Sequence, residues 1–151
     1  MAKLSGIATP TAAVECENYF DRKKYLKRDE RLVELLAKLK NFRHFMLVNG
    51  IKAKAHEALV TLGLDLTQFE EIVTSEVVGE NKPSEKGFQY ILEKTKLPPE
   101  QHLMIGDREL VDLAPAKKLG MHTCLVWSDK TESDVADIIL PTVYEVERKL
   151  L

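Results

Sequence analysis

From residue 29 to the end, the chain alternates between two hydrophobic periods, one suited to helices and one to buried strands, and few folds satisfy that alternation. Asp29 can cap a helix in which Leu32, Val33, Leu35, Leu36 and Leu39 form one apolar stripe at helical spacing. Residues 44–48 (HFMLV) read as a buried strand ending at Asn49-Gly50, and a helix over 53–62 follows, stopped by Gly63. A shorter strand is expected over 71–74 and a helix over 84–96, which Pro98-Pro99 ends before the apolar run Leu103, Met104, Ile105. Pro115 is tolerated only in a first turn, so the next helix is predicted to start near Asp112 and to end at Gly120. Strands over 123–127 and 137–140 and a closing helix over 142–151 complete the pattern. Strands interleaved with helices imply a layered α/β domain with a mainly parallel sheet. It should occupy 29–151, with 1–28 a separate amino-terminal segment.

Composition narrows the partners. With 44% hydrophobic and 30% charged residues among 151, the chain suits one soluble globular domain. A net charge of -2, both signs interspersed, argues against a nucleic-acid or anionic-membrane surface and leaves small molecules or proteins. Cys16 and Cys124 lack metal or disulfide spacing. No apolar run approaches the roughly 18 residues of a membrane span, and the first ten residues lack a secretory pattern. A cytoplasmic location is the expectation.

Three places could carry chemistry, each following or lying close to a predicted strand end, where ligands bind in open parallel sheets. Asn49-Gly50 opens a helix whose amides could hold an anion, or is an ordinary strand-to-helix turn. Lys82 stands directly before a helix, against the macrodipole. It could neutralise a phosphoryl oxygen or an acidic side chain, or be a solvated loop lysine. Asp107 and Asp112, five positions apart in MIGDRELVD, could place two carboxylates beside a hard cation, or be a loop acid and a helix cap. His44, His56, His102 and His122 have no metal-binding spacing and read as structural, and neither Ser75 nor Ser128 sits in a nucleophile elbow.

Taken in order, LVNG ending one strand, KP at Lys82-Pro83, GDRELVD after another strand and LGMHTCLVW leading into the next resemble the motifs of the haloacid dehalogenase-like hydrolase superfamily. The resemblance covers 25–151, and YLKRDERLVELL is similar to the pyrimidine 5'-nucleotidase branch. It implies a Rossmann-like three-layer α/β/α core without a full cap domain, and a phosphoryl site where magnesium assists attack by an aspartate. Lys82 would match the phosphate-holding lysine, Asp107 and Asp112 the metal-binding acids, and Asn49 with Gly50 the phosphate-binding turn.

Two departures bear on activity. The family's first strand ends in DxDxT, whose first aspartate is the nucleophile. No such motif occurs in these 151 residues, and neither Asp21 (FDRKK) nor Asp129 (WSDKTE) follows a suitable strand. Val48 also stands where the family has a threonine or serine, and valine offers a phosphate no hydroxyl. Covalent catalysis cannot proceed without its nucleophile. The expectation is therefore a non-catalytic binding or interaction protein with a weak or absent magnesium site, taking a phosphorylated small molecule or a protein partner. The alternative is a magnesium-dependent phosphohydrolase whose nucleophile is supplied in trans. Residues 3–8 (KLSGIA) are the favoured replacement for the missing central strand, direct pairing of the flanking strands or a strand inserted by a second polypeptide being the alternatives, and at most 11–24 could be the remnant of a cap.

Overall fold

The computed structural model describes residue 19 and residues 24–151. The expected replacement strand over 3–8 lies outside the described residues, as does the expected cap remnant apart from Tyr19 and Lys24. The chain forms two compact units, Met1–Asn81 and Lys82–Leu151.

The first unit is built on a parallel strand pair. Helix α1 (Glu30–Lys38) starts where the sequence places it, because Asp29 Oδ1 accepts a hydrogen bond from the Leu32 amide at 3.1 Å. Glu30 in its first turn and Lys38 in its last both complement the helix dipole. Its stripe buries Leu35 and sets Leu32, Val33 and Leu36 against a core of Leu59, Leu64 and Ile72. Strand β1 (Phe45–Val48) pairs in parallel with β2 (Glu71–Thr74), Val48 opposite Thr74, and α2 (Lys52–Thr61) makes the crossover that parallel pairing requires. Gly63 ends the crossover at φ +86, and a β-carbon there would meet the Arg28 side chain at 2.7 Å. The short helix α3 (Ser75–Val78) follows β2.

The second unit carries three parallel strands in the order β3 (Leu103–Gly106), β4 (His122–Val126) and β5 (Ile138–Leu140). Cys124, Val126, Leu140 and Val146 form its core, with Leu103, Ile105, Ile138, Val143 and Leu150 packed around them. Helix α4 (Lys86–Thr95) lies inside the predicted 84–96 span and buries Phe88 completely. Burial pushes the Cys124 thiol up to about 11, so it is an inert core residue and not a nucleophile.

The helix after β3 differs from expectation. It opens at Glu109 with a π turn, Glu109–Leu113, and continues as α5 (Ala114–Lys118). Pro115 has no amide hydrogen and its ring would press on the carbonyl one α-turn back. A wider turn relieves that clash, and the Ala114 amide reaches the Glu109 carbonyl five residues back. Asp112 therefore sits inside the turn, one residue before its last, and not at a helix entrance.

The closing segment is also subdivided. Thr142 and Glu145 form a reciprocal capping box around a 3-10 turn, Val143–Glu145, and α6 (Glu147–Leu150) follows.

Candidate active site

The second unit brings three of the five sequence-predicted residues together. Strand β3 delivers Gly106 at its carboxyl end, with Asp107 and Arg108 directly beyond it. The π turn then swings Asp112 back over the strand end. Its approach is so close that a β-carbon on Gly106 would lie 2.5 Å from Asp112 Cβ, so only glycine fits there. Asp112 Oδ2 accepts a hydrogen bond from the Arg108 amide at 3.2 Å, which fixes the carboxylate's orientation.

Lys82 meets the other oxygen. Its Nζ lies 2.7 Å from Asp112 Oδ1, with side-chain exposures of only 8% and 3%. Such a pair is deeply desolvated, and either partner alone would leave an uncompensated buried charge. Two carboxylates and two cations are thus gathered at this strand end, since Arg108 Nε lies 3.7 Å from Asp112 Oδ2 and 3.9 Å from Asp107 Oδ1. The inner pair is buried. The outer pair is open, with Arg108 55% and Asp107 61% exposed.

The rim is braced by Glu109, which binds both Lys130 and Ser133. Those hydrogen bonds, Lys130 first, hold the Glu109 carboxyl below its ordinary value. The sequence offered no warning of this contact, because its partners lie more than twenty positions away.

Asn49 and Gly50 belong to the first unit, at the carboxyl end of β1, with Gly50 buried. There the first amide of α2 is already met by an acid of the chain itself: Lys52 N donates to Glu76 Oε2 at 2.6 Å. Glu76 thus holds one of the amides that, on the sequence, could hold an external anion or belong to an ordinary turn. It follows β2 just as Asp107 follows β3, and that parallel was the available signal.

Of the two acids at this strand end, one is open to a cation. Magnesium takes about six oxygens, with one or two carboxylates among them. No group of three or more His, Cys, Asp or Glu side chains suited to a metal ion gathers among the described residues. Asp107 offers an outward carboxylate, whereas both Asp112 oxygens face Lys82 and Arg108.

Comparison with known proteins places the chain. The family model for haloacid dehalogenase-like hydrolases matches residues 9–126, which includes β1, the Lys82-Pro83 turn, β3 with its acids, and β4. The chain belongs to the haloacid dehalogenase-like hydrolase family. Among curated haloacid dehalogenase-like relatives, a glyceraldehyde 3-phosphate phosphatase of Methanothermobacter thermautotrophicus is 36% identical over 97 residues, 64% of this chain and 42% of that protein. A pyrimidine 5'-nucleotidase of Escherichia coli is 30% identical over 122 residues, 69% of this chain and 53% of that protein. The solved structure of a haloacid dehalogenase-like phosphatase from Thermococcus onnurineus superposes with a TM-score of 0.69 at 26% identity, covering 78% of this chain and 55% of the other. The resemblance read from the motifs is thereby borne out at the level of the family, and with it the Rossmann-like α/β fold. The chain spans about half the length of the relatives it matches.

Proposed function

We propose that this chain is the lysine-and-acid half of a haloacid dehalogenase-like phosphohydrolase site, acting on a phosphate monoester with an aspartate supplied by polypeptide outside these 151 residues. The observation that carries the reading is the buried Lys82–Asp112 pair at 2.7 Å, set at a strand end with Asp107 beside it. Removing two charges from water costs several kcal/mol per ion, so a pair built only for stability is replaceable by packed apolar side chains. Its retention at a strand end, where open parallel sheets bind ligands, supports a functional reading. Relatives named as phosphatases and as a nucleotidase support the same reaction class and favour it over a purely non-catalytic role.

In this reading the attacking aspartate forms the new P–O bond as the ester's P–O bond breaks. The departing oxygen keeps the electron pair and takes a proton to leave as the alcohol. Water then cleaves the aspartyl phosphate to release inorganic phosphate and restore the carboxylate. Lys82 contributes positive charge toward the phosphoryl oxygens, at an ammonium held in place by Asp112. Asp112 is a positioning residue, because both its oxygens face protein donors. Asp107 is the residue placed to hold a cation, whose remaining ligands would come with the missing aspartate. The absence of DxDxT favours one narrower reading, in which the chain binds a phosphorylated ligand without turning it over.

A phosphatase assay with magnesium and an aryl phosphate decides between them. The chain alone should show no turnover above background. Turnover should appear on adding an amino-terminal polypeptide that carries the DxDxT strand, and Lys82→Ala should lower it about a hundredfold or more, the scale for losing one electrostatic donor. Equal turnover with and without that polypeptide, or indifference to Lys82→Ala, would overturn the proposal.

A further inference from the structure

The two cations of the site are not equivalent. Lys82 is buried and paired, its Nζ 2.7 Å from Asp112 Oδ1. Arg108 is 55% exposed, and its guanidinium approaches acids only at 3.7 and 3.9 Å, beyond hydrogen-bonding range. Five donors in a rigid planar fork therefore stand at the carboxyl end of β3 with no hydrogen bond from the guanidinium among the described residues. Such a fork matches the two oxygens of a carboxylate or phosphate.

Position adds a length constraint. Lys82 and Arg108 address opposite oxygens of one carboxylate, Oδ1 and Oδ2 of Asp112, so the two positive centres are close together and differ in depth. The Asp112 side chain, only 3% exposed and held by the Arg108 amide, anchors the inner of the two cations.

From this two-tier arrangement we infer that Arg108 reads a second anionic group on the substrate, which makes the substrate class a compact phosphate monoester bearing a carboxylate or second phosphate a few atoms from phosphorus. The inference rests on the phosphohydrolase reading above, which places the reacting phosphoryl group toward Lys82. An exposed arginine serving only as a counter-ion to Asp107 would give no preference for such a ligand.

Calorimetric binding of three probes to the purified chain tests this: inorganic phosphate, glycerol 3-phosphate with a neutral tail, and 3-phosphoglycerate with an acidic one. The native chain should bind 3-phosphoglycerate about tenfold or more tighter than glycerol 3-phosphate, the scale for a charge-assisted hydrogen-bonded contact. Arg108→Ala should erase that preference while weakening inorganic phosphate far less than the acid, and Arg108→Lys should restore only part of it, because lysine lacks the fork. If the native chain shows no preference, or Arg108→Ala weakens inorganic phosphate as much as the acid, Arg108 does not read a second anion. If the native chain binds none of the three, the phosphoryl-site reading itself fails and takes this inference with it.

Discussion

Asp112 is the residue on which the site turns. Asp112→Ala should destabilise the fold by about 3 to 5 kcal/mol, the cost of stranding a buried charge. Urea unfolding reads this directly. The double variant Lys82→Met with Asp112→Leu should recover most of that loss, because an apolar pair of similar size removes both charges. If the double variant is no more stable than Asp112→Ala alone, the pair is not the buried electrostatic unit described here. Gly106→Ala should act on the same unit from below, since its new β-carbon would stand 2.5 Å from Asp112 Cβ. Lys82, Asp107 and Asp112 stood out in the sequence as residues near strand ends or before a helix. Yet α4 begins only at Lys86 and leaves Lys82 in the turn four residues ahead of it, where the expected opposition to the helix dipole is lost. Their division of labour was not legible there. That Asp112 faces Lys82, leaving Asp107 as the outward acid, depends on which way a π turn rotates a side chain, and no residue spacing encodes that rotation.

At the scale of elements, boundaries followed local chemistry wherever one residue decides them. Asp29 begins α1 and β2 spans Glu71–Thr74 as expected, while Gly63 ends α2 through its positive φ. The helix after β3 departs because two local rules compete. Pro115 demands a first turn, yet Glu109 can begin a wider one three residues before Asp112 and brace it with Lys130 and Ser133. The closing element likewise breaks at the capping box, which sets a 3-10 turn ahead of α6. Thr142→Ala removes the side-chain acceptor of the Tyr144 amide and should cost about 1 kcal/mol in chemical denaturation. A neutral result would show that the box is incidental to the fold.

For the molecule as a whole, acid stability follows from carboxylates held ionised in the fold. Asp137 lies below its ordinary value because it binds Lys117 and, despite some desolvation, the Thr123 amide at 2.9 Å and the Thr123 hydroxyl at 3.1 Å. A carboxyl with a lowered folded-state pKa adds stability that is fully present above its unfolded value of about 3.9 and is lost as pH falls through the lower folded value. Asp137→Asn should therefore reduce stability at neutral pH and flatten its decline below about pH 4, as thermal melts across pH would record. An unchanged acid limb would show that Asp137 does not contribute. Fold class and family were readable from the alternation of periods and from motif order, because parallel sheets force helical crossovers. The catalytic half was not, because no DxDxT motif can be read in these 151 residues. The most direct test is to incubate the chain, with and without a polypeptide carrying the DxDxT strand, with a reactive aryl phosphate, reduce any acyl phosphate with borohydride, and map the resulting homoserine by mass spectrometry. The account predicts homoserine at an aspartate of the added polypeptide and at none of this chain. Homoserine at Asp21, Asp129 or any other aspartate of these 151 residues would contradict it.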